Sequence, residues 1–359
     1  MDKNELQSRA AELLELIEIK SETANEIINA YTKKHRYIEA QDRKELLDMI
    51  WRVIRQKARL NYAYPNASWF DKIDLATQPL PDLTSAPQHI QWEVQDWFVS
   101  HVPNAENELP AMLGDAPIVL RANGNRDKIL QMLKDENLPV SVCPESPLGI
   151  VLEKYVNLTE TKSYKKGYIE VQDSGAQLLS MEIGVKPHSD VFDFCAGTGG
   201  KSLIFAQLMQ NRGFIQAYDS SYKRLSELGK RAFRAKATII KTVNRLPETH
   251  KKFDYVVVDA PCTGTGTWRR TPDMRWKITE NQIKSIVKTQ AEILDKAQEY
   301  VKNGHYLAYI TCSLTRDENE LQTEHFLRTH PRFLLVKEKR YSPYLTNTDG
   351  FYLSIMQKR

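Results

Sequence analysis

Two cysteines each follow a short apolar segment that is predicted to be a β-strand. Cys262 comes after YVVVDAP, and Cys312 comes after YLAYIT. The carboxyl ends of parallel strands lie at one edge of a sheet, where open α/β sheets bind their ligands. Two thiols at such an edge can share one reaction, in which one adds to an electron-poor carbon and a second group moves a proton. Cys262 and Cys312 are therefore candidate catalytic residues, whereas Cys143 and Cys195 are predicted to be packing thiols.

A second candidate site is the loop DFCAGTGGKS, residues 193–202, which follows a predicted strand and opens a helix. Backbone amides and the helix dipole at this position can receive a polar cofactor. A dinucleotide fingerprint would need glycine in place of Ser202, and a phosphate-binding loop would need glycine in place of Cys195. Adenosylmethionine has no phosphates and needs neither, and Asp219 after the next strand can accept both ribose hydroxyls. We favour a methyl-donor site, with a P-loop ATPase as the alternative.

Thiols beside a methyl donor suit the methylation of cytosine at carbon 5. This carbon is a poor nucleophile, so an enzyme first adds a thiolate to carbon 6, and the enamine that results can attack the methyl group. The proton on carbon 5 must then leave and the thiolate must be expelled, which a second acid or base group assists. Asp259, which precedes the first cysteine motif, can hold the exocyclic amine or ring nitrogen of the base as charge develops.

Cations and indoles alternate in the segment WRRTPDMRWK, residues 268–277, which lies between the two cysteines. RNA-binding proteins combine phosphate contacts with stacking of unpaired bases on aromatic rings, and carbon 5 is reached only in an unstacked base. The residues predicted to contact RNA are Trp268, Arg269, Arg270 and Arg275. The alternative is that the tryptophans cover the sheet edge and the arginines are solvated. Residues 220–252 carry ten Lys/Arg and two acids, which suits a solvated helix face as well as RNA.

The elements that must position these residues form a regular pattern after residue 166, where short apolar segments alternate with helical stretches of ten or more residues. This alternation indicates a parallel sheet with crossover helices. Seven strands are predicted, and the last two should pair antiparallel because only a polar connection separates them. The predicted strands are residues 191–195, 214–218, 238–243, 255–259, 306–311, 333–338 and 351–356.

The length of 359 residues predicts two or three domains. We expect a helical domain in residues 1–75, a linker and mixed α/β segment in residues 76–165, and the catalytic domain in residues 166–359. No segment approaches the about 18 to 20 apolar residues of a spanning helix. Four scattered cysteines without a Cys/His ligand spacing predict reduced thiols and no metal site. We therefore expect a cytoplasmic protein, and its net charge of +4 does not by itself identify a partner.

The motifs DFCAGTGGKS, VVVDAPCTGTGTWRRTPDMRW and YITCSLTRDENE resemble those of the Sun-type RNA cytosine-5 methyltransferases, in particular the bacterial 16S ribosomal RNA methyltransferase B branch. The resemblance covers roughly residues 105–359. It implies an α/β fold of the class I SAM-dependent (Rossmann-like) type, preceded by the helical domain and the mixed segment. It also implies that Cys312 attacks carbon 6 and that Cys262 assists product release.

The resemblance implies S-adenosylmethionine as cofactor and RNA as partner. We also expect a monomer. The implied cofactor contacts are Cys195, Ala196, Gly197, Thr198, Gly199, Gly200, Lys201, Asp219, Asn244 and Asp259. The implied catalytic residues are Cys312, Cys262, Asp259 and Lys201. Asn244 stands where the family usually has an acid that reaches the adenine amine, and the N-terminal helices resemble a shortened antiterminator-like RNA-binding domain. A non-catalytic RNA-binding assembly factor that keeps the fold is a further alternative.

Overall fold

The computed structural model describes all 359 residues, and they form two compact units. The first consists of Met1–Asp115 and Thr267–Glu280, and the second of Ala116–Gly266 and Asn281–Arg359. This division differs from the predicted boundaries at residues 75 and 165. The first unit continues to Asp115, and the mixed segment that follows shares the second unit with the C-terminal sheet.

Helices build the first unit, and their apolar residues recur three and four positions apart. Leu13, Leu46 and Ile50 are fully buried in its core. Thr23 begins the second helix with a capping box, in which its hydroxyl accepts from the Glu26 amide and Glu26 accepts from the Thr23 amide. The helices are α1 (Lys3–Ile19), α2 (Ala24–Lys34), α3 (Ala40–Arg55), α4 (Lys57–Ala63), α5 (Trp69–Leu75), α6 (Gln88–Gln91) and α7 (Ala105–Ala111), with 3-10 turns at Asp96–His101 and Pro272–Trp276.

The second unit begins with a small antiparallel sheet. Its strands are β1 (Ile118–Ala122), β2 (Val140–Val142), β3 (Gly149–Leu152) and β4 (Ile169–Val171), in the order β2-β3-β1-β4. Helix α8 (Arg126–Asp135) packs on this sheet through Ile129 and Leu133, which are buried with Leu120 and Ile150. The one-turn helix α9 (Lys162–Lys165) precedes β4.

A seven-stranded sheet forms the rest of the second unit. Its strands are β5 (Asp190–Asp193), β6 (Phe214–Tyr218), β7 (Ile240–Val243), β8 (Phe253–Asp259), β9 (Val301–Thr311), β10 (Phe333–Tyr341) and β11 (Phe351–Lys358). The order is β10-β11-β9-β8-β5-β6-β7. Strands β5 to β9 pair in parallel, whereas β11 pairs antiparallel with both β9 and β10. The predicted seven strands with a terminal antiparallel hairpin are confirmed.

Helices cover both faces of this sheet, which explains why its central strands read as continuous apolar runs. Consecutive residues of β5 point to opposite faces, so Val191 packs in one core cluster and Phe192 in the other. The helices are α10 (Ser174–Glu182), α11 (Gly200–Leu208), α12 (Tyr222–Arg234), α13 (Glu280–Ala297), α14 (Glu320–Thr329) and α15 (Pro343–Thr346). None of the helices has both the length and the apolar character needed to cross a membrane.

Candidate active site

The carboxyl ends of β5, β6, β8 and β9 surround a cavity of about 660 Å³. Because these strands are neighbours in the parallel part of the sheet, segments distant in sequence meet at one edge. The predicted residues that line the cavity are Cys195, Ala196, Gly197, Thr198, Gly200, Lys201, Asp219, Asp259, Cys262 and Cys312. The structure therefore brings the glycine loop and both candidate catalytic thiols into one site.

Two glycines shape the loop after β5. Gly199 precedes α11 with φ +88°, and a Cβ there would lie 2.4 Å from Leu228 Cγ. Gly197 also has a positive φ, +55°, but open space surrounds the position of its missing Cβ. Gly199 thus permits close packing against Leu228 of α12 and does not line the cavity. Gly197 has no side chain, so a ligand in the cavity can approach the backbone there closely.

Asp219 lies just beyond β6 and is 5% exposed. One of its carboxylate oxygens accepts from the Gly197 amide at 2.9 Å, and the other accepts from the Ser221 amide at 2.8 Å. Arg224 Nη1 also lies 3.5 Å from the first of these oxygens, and the Arg224 side chain is 60% exposed. A carboxylate has about four acceptor positions, so a ligand that displaces Arg224 finds two of them open to the cavity. This geometry fits a ligand with two neighbouring hydroxyls, as the ribose of adenosylmethionine has.

Asp193, the acid that opens the glycine loop, lies under the loop and not in the cavity. It is fully buried, and its Oδ2 accepts from the Ser202 hydroxyl at 2.6 Å while Oδ1 has no hydrogen-bond partner. Burial raises the pKa of Asp193 to about 7, and the neighbouring charge of Asp259 acts in the same direction. The side chain supports the loop from below in a form that is partly protonated at neutral pH.

Lys201 and Asp259 form an ion pair in the cavity wall, with Lys201 Nζ 2.5 Å from Asp259 Oδ2. Lys201 comes from the first turn of α11, and Asp259 is the last residue of β8. The side chain of Lys201 is 10% exposed and that of Asp259 is 36% exposed. The carboxylate is therefore the member of the pair that is more accessible from solvent, and Lys201 fixes its position.

The two candidate catalytic thiols are in contact. Cys262 Sγ lies 3.2 Å from Cys312 Sγ, and the Cys312 amide donates to Cys262 Sγ at 3.3 Å. The hydrogen bond to Cys312 raises the pKa of the Cys262 thiol well above its ordinary value, and burial raises it further. Cys262 therefore keeps its proton at neutral pH and can donate it in a hydrogen bond to the sulfur of Cys312.

Asn244 does not line this cavity. It lies in a separate cavity of about 500 Å³, which α12 and the segment after β7 enclose through residues such as Tyr222, Gly229 and Arg245. Leu246, two residues further on, reaches the candidate active site instead. The structure does not support the predicted adenine contact of Asn244, because the chain after β7 directs a different side chain to the cavity.

The RNA-contacting role predicted for residues 268–275 is likewise unsupported. Trp268 is 0% exposed, Arg275 is 1% exposed and Arg269 is 5% exposed, all within the first unit. Trp268 packs against Phe98 with ring centroids 4.7 Å apart. Arg275 donates to the Met112 carbonyl, and burial lowers its pKa to about 10. Buried side chains cannot reach phosphates or stack on bases, and of the four only Arg270 is partly exposed.

Several cavity residues were not predicted from the sequence. Phe194 and Tyr218 follow or end the strands β5 and β6, while Ile293 and Lys296 come from α13. The aromatic residues at the strand ends were a usable signal, since such positions open onto the ligand edge. Nothing local marks the α13 residues, because their place depends on how that helix packs.

The sheet order and the cavity at the strand ends define the class I S-adenosylmethionine-dependent methyltransferase fold. The chain is similar to the crystal structure of PH0851, with a TM-score of 0.81 and 21% identity over 100% of this chain and 99% of that chain. It is also similar to the crystal structure of NSun6 from Pyrococcus horikoshii with SFG, with a TM-score of 0.66 and 19% identity over 74% of this chain and 97% of that chain.

Residues 180–357 match the sequence model of the family described as 16S rRNA methyltransferase RsmB/F. Ribosomal RNA small subunit methyltransferase B of Photorhabdus laumondii is 32% identical over 284 residues, which are 74% of this chain. The chain spans 63% of the length of that relative. The chain belongs to the RsmB/F family of methyltransferases.

Proposed function

We propose that this chain is an S-adenosylmethionine-dependent enzyme that forms 5-methylcytosine in RNA, with 16S ribosomal RNA as its substrate. The observation that carries the proposal is the 3.2 Å contact between Cys262 and Cys312 in the cavity of a class I methyltransferase fold. A fold of this class needs no thiol to bind its cofactor. Two thiols side by side suit an acceptor carbon that must first be activated by covalent addition.

The cavity fits S-adenosylmethionine, which would supply the methyl group when bound. Asp219 can accept hydrogen bonds from the ribose in place of its 3.5 Å contact with Arg224, and Gly197 allows the ligand to approach the backbone. Phe194, Tyr218 and Leu246 supply apolar walls suited to an adenine ring. SFG, bound in the similar structure of NSun6, is an analogue of S-adenosylmethionine, which supports the same cofactor here.

In the proposed reaction Cys312 releases its proton to solvent, and its sulfur bonds to carbon 6 of the cytosine as the C5–C6 double bond opens. Carbon 5 then becomes nucleophilic and acquires the methyl group. When the proton on carbon 5 leaves to solvent, the C5–C6 double bond is restored and the bond between carbon 6 and sulfur breaks. The protonated Cys262 thiol, hydrogen-bonded to Cys312, stabilises the negative charge that returns to that sulfur.

Asp259 and Lys201 would act on the polar edge of the base. The carboxylate of Asp259 can accept from the exocyclic amine of cytosine, and Lys201 holds that carboxylate in one orientation. Such fixed groups are most effective when their positions are set before the reaction begins. In this proposal Asp259 contacts the substrate, and Lys201 orients Asp259.

The names of the relatives support ribosomal RNA as the substrate class. The relative from Photorhabdus laumondii is a ribosomal RNA small subunit methyltransferase, and the family model carries 16S rRNA in its description. A ribosomal RNA substrate would place the protein in the cytoplasm. We also propose that residues 1–75 contribute to RNA binding, as the resemblance of the N-terminal helices to an antiterminator-like domain implies. The partly exposed Arg270 is included in this proposal because of the cations and indoles that alternate around it.

A methyl-transfer assay tests the proposal directly. The purified chain is incubated with methyl-labelled S-adenosylmethionine and either protein-free 16S RNA or small ribosomal subunits, and nucleosides are then identified by mass spectrometry. We expect label in 5-methylcytosine and none after the change Cys312→Ala. Label in another nucleoside would contradict the cytosine-5 chemistry, and absence of transfer to either RNA form would contradict the RNA substrate.

A further inference from the structure

Glu318 is a fully buried acid whose carboxylate accepts five hydrogen bonds. It lies between the strand-end thiol motif of β9 and helix α14. The donors are the Thr263 amide at 2.9 Å, the Thr263 hydroxyl, the Ser313 hydroxyl, the Thr315 hydroxyl at 3.0 Å and Gln290 Nε2 at 3.0 Å. No Lys or Arg forms an ion pair with this carboxylate, so hydrogen bonds alone offset the cost of burying its charge.

The donors to Glu318 come from both thiol loops. Thr263 directly follows Cys262, and Ser313 directly follows Cys312. One carboxylate therefore joins two loops that are 50 residues apart in sequence and whose sulfurs are in contact. Gln290 ties the same carboxylate to α13 and also donates to the Pro261 carbonyl at 3.0 Å, on the other side of Cys262.

The next residue, Asn319, holds the backbone around Cys312. Its Oδ1 accepts from the Thr311 hydroxyl at 2.5 Å, and its Nδ2 donates to the Ser313 carbonyl at 2.9 Å. Thr311 and Ser313 are the two neighbours of Cys312 in the chain. Asn319 therefore holds the residues on both sides of Cys312, and Glu318 also holds the loop that carries Cys262.

We propose that Glu318 is a positioning residue that sets the separation of Cys262 and Cys312 by clamping their two loops to one buried carboxylate. Glu318 does not line the cofactor cavity, so it acts on the reaction only through the thiols. The effect of Glu318 on methylation rests on the proposed function, but its effect on the distance between the two sulfurs does not. The negative charge of Glu318 also adds to the main causes that keep Cys262 protonated, which are its hydrogen bond to Cys312 and burial.

The change Glu318→Gln tests the clamp with little change in volume. A carboxylate only accepts, whereas an amide presents two N–H groups, so no orientation of glutamine can accept from all five donors. Closure of a disulfide between Cys262 and Cys312, driven by the oxidant diamide in the folded protein and located by peptide mass spectrometry, reports how closely the sulfurs are held. We expect Glu318→Gln to slow this closure at least tenfold.

Glu93→Gln is the matched control. Glu93 is also 0% exposed and accepts from the Ala58 amide, the Arg59 amide and Arg59 Nε, but it belongs to the first unit, whereas both thiols belong to the second. We expect Glu93→Gln to lower thermal stability about as much as Glu318→Gln does. It should leave the rate of disulfide closure within twofold of the parent rate. Equal closure rates in the parent and Glu318→Gln would overturn the proposal, because the separation of the sulfurs would then not depend on this carboxylate.

Methylation gives the second readout. We expect Glu318→Gln to reduce kcat at least tenfold while KM for S-adenosylmethionine changes less than threefold, a split that general loss of structure would not produce. If the parent methylates no RNA, the proposed function fails, yet the closure experiment still tests the clamp. If Glu318→Gln does not fold, Thr263→Val removes one of the five donors and should give a smaller loss, of about threefold, in both readouts. Parental values for a folded Thr263→Val would then count against the clamp.

Discussion

The two thiols have different roles in the proposed reaction. The proposed reaction assigns the attack on carbon 6 to Cys312, and the protonated Cys262 thiol lies 3.2 Å from the Cys312 sulfur. We expect Cys312→Ala neither to methylate RNA nor to form a covalent complex with it. We expect Cys262→Ala to accumulate RNA bound to Cys312, since addition can occur while release is impaired. Denaturing electrophoresis with labelled RNA measures the complex.

The double variant Cys262→Ala/Cys312→Ala is the control and should form no complex. The opposite pattern, with a complex in Cys312→Ala and none in Cys262→Ala, would assign the attack to Cys262. Single variants that both methylate normally would remove the covalent mechanism and leave the thiols as packing groups.

Asp193 makes stability depend on pH in a specific direction. Its pKa is about 7 in the folded protein, against an ordinary value near 4. Between about pH 4 and pH 7 the folded carboxyl keeps a proton that the unfolded chain releases, so its contribution to the free energy of unfolding falls as pH rises. We expect Asp193→Asn, which cannot ionise, to gain at least about 1 kcal/mol relative to the parent between pH 5 and pH 7.5. Urea unfolding at both pH values measures this, and a difference that does not change with pH would exclude ionisation of Asp193 as the cause.

At the scale of elements, the segment Thr267–Glu280 belongs to the first unit, and its Trp268, Arg269 and Arg275 side chains are buried. We expect Arg275→Ala to destabilise the protein by about 2 to 4 kcal/mol, because it leaves a cavity and an unpaired Met112 carbonyl. Arg270→Ala, a change of the same type in a partly exposed side chain, should cost less than about 1 kcal/mol. Thermal unfolding compares the two variants, and equal losses would contradict the structural role of Arg275.

Exposed cations of residues 220–252 lie on helix α12, on the edge strand β7 and just after β7. Lys223, Lys241 and Arg245 are exposed, and Arg245 lines the cavity of about 500 Å³ beside Tyr222, which is 74% exposed. We expect their joint replacement by glutamine to weaken RNA binding and to reduce the slope of its salt dependence by up to about two to three units, since each of the three lost phosphate contacts would remove about 0.7 to 0.9 unit. Filter binding at several salt concentrations measures the slope.

The control for that experiment removes equal charge elsewhere in the second unit. Lys128, Lys134 and Lys186 are exposed and lie outside α12 and β7. Their replacement by glutamine should reduce the slope of the salt dependence of RNA binding less than the first triple replacement does. If both triple variants lose the same affinity, net charge and not this surface governs RNA binding.

For the whole molecule, ligand binding should appear as thermal stability. A ligand at one hundred times its Kd stabilises the folded state by about 2.7 kcal/mol. We expect S-adenosylmethionine to raise the Tm of the second unit and ATP with magnesium to leave it unchanged. Asp219→Ala should lose this shift, because the ribose loses its acceptor. A rise with ATP and magnesium alone would favour the ATPase alternative.

The strands, the glycine loop and the location of the thiols follow from local sequence. Alternation of apolar runs with helical stretches predicted all seven strands of the large sheet, because burial on both faces leaves a continuous apolar pattern. Strand ends in a parallel sheet share an edge, so Asp219, Asp259, Cys262 and Cys312 could be assigned to one site before any contact was known.

The tertiary structure alone decided what depends on contacts between distant segments. Arg275 and Trp268 were predicted to contact RNA, yet they are buried, because composition does not distinguish a cation that pairs with a buried carbonyl from one in water. The boundary after Asp115 and the return of residues 267–280 to the first unit depend on long-range packing. The 3.2 Å approach of the two sulfurs depends on the pairing of β8 with β9 and on hydrogen bonds to Glu318, so no local property of either cysteine motif specifies it.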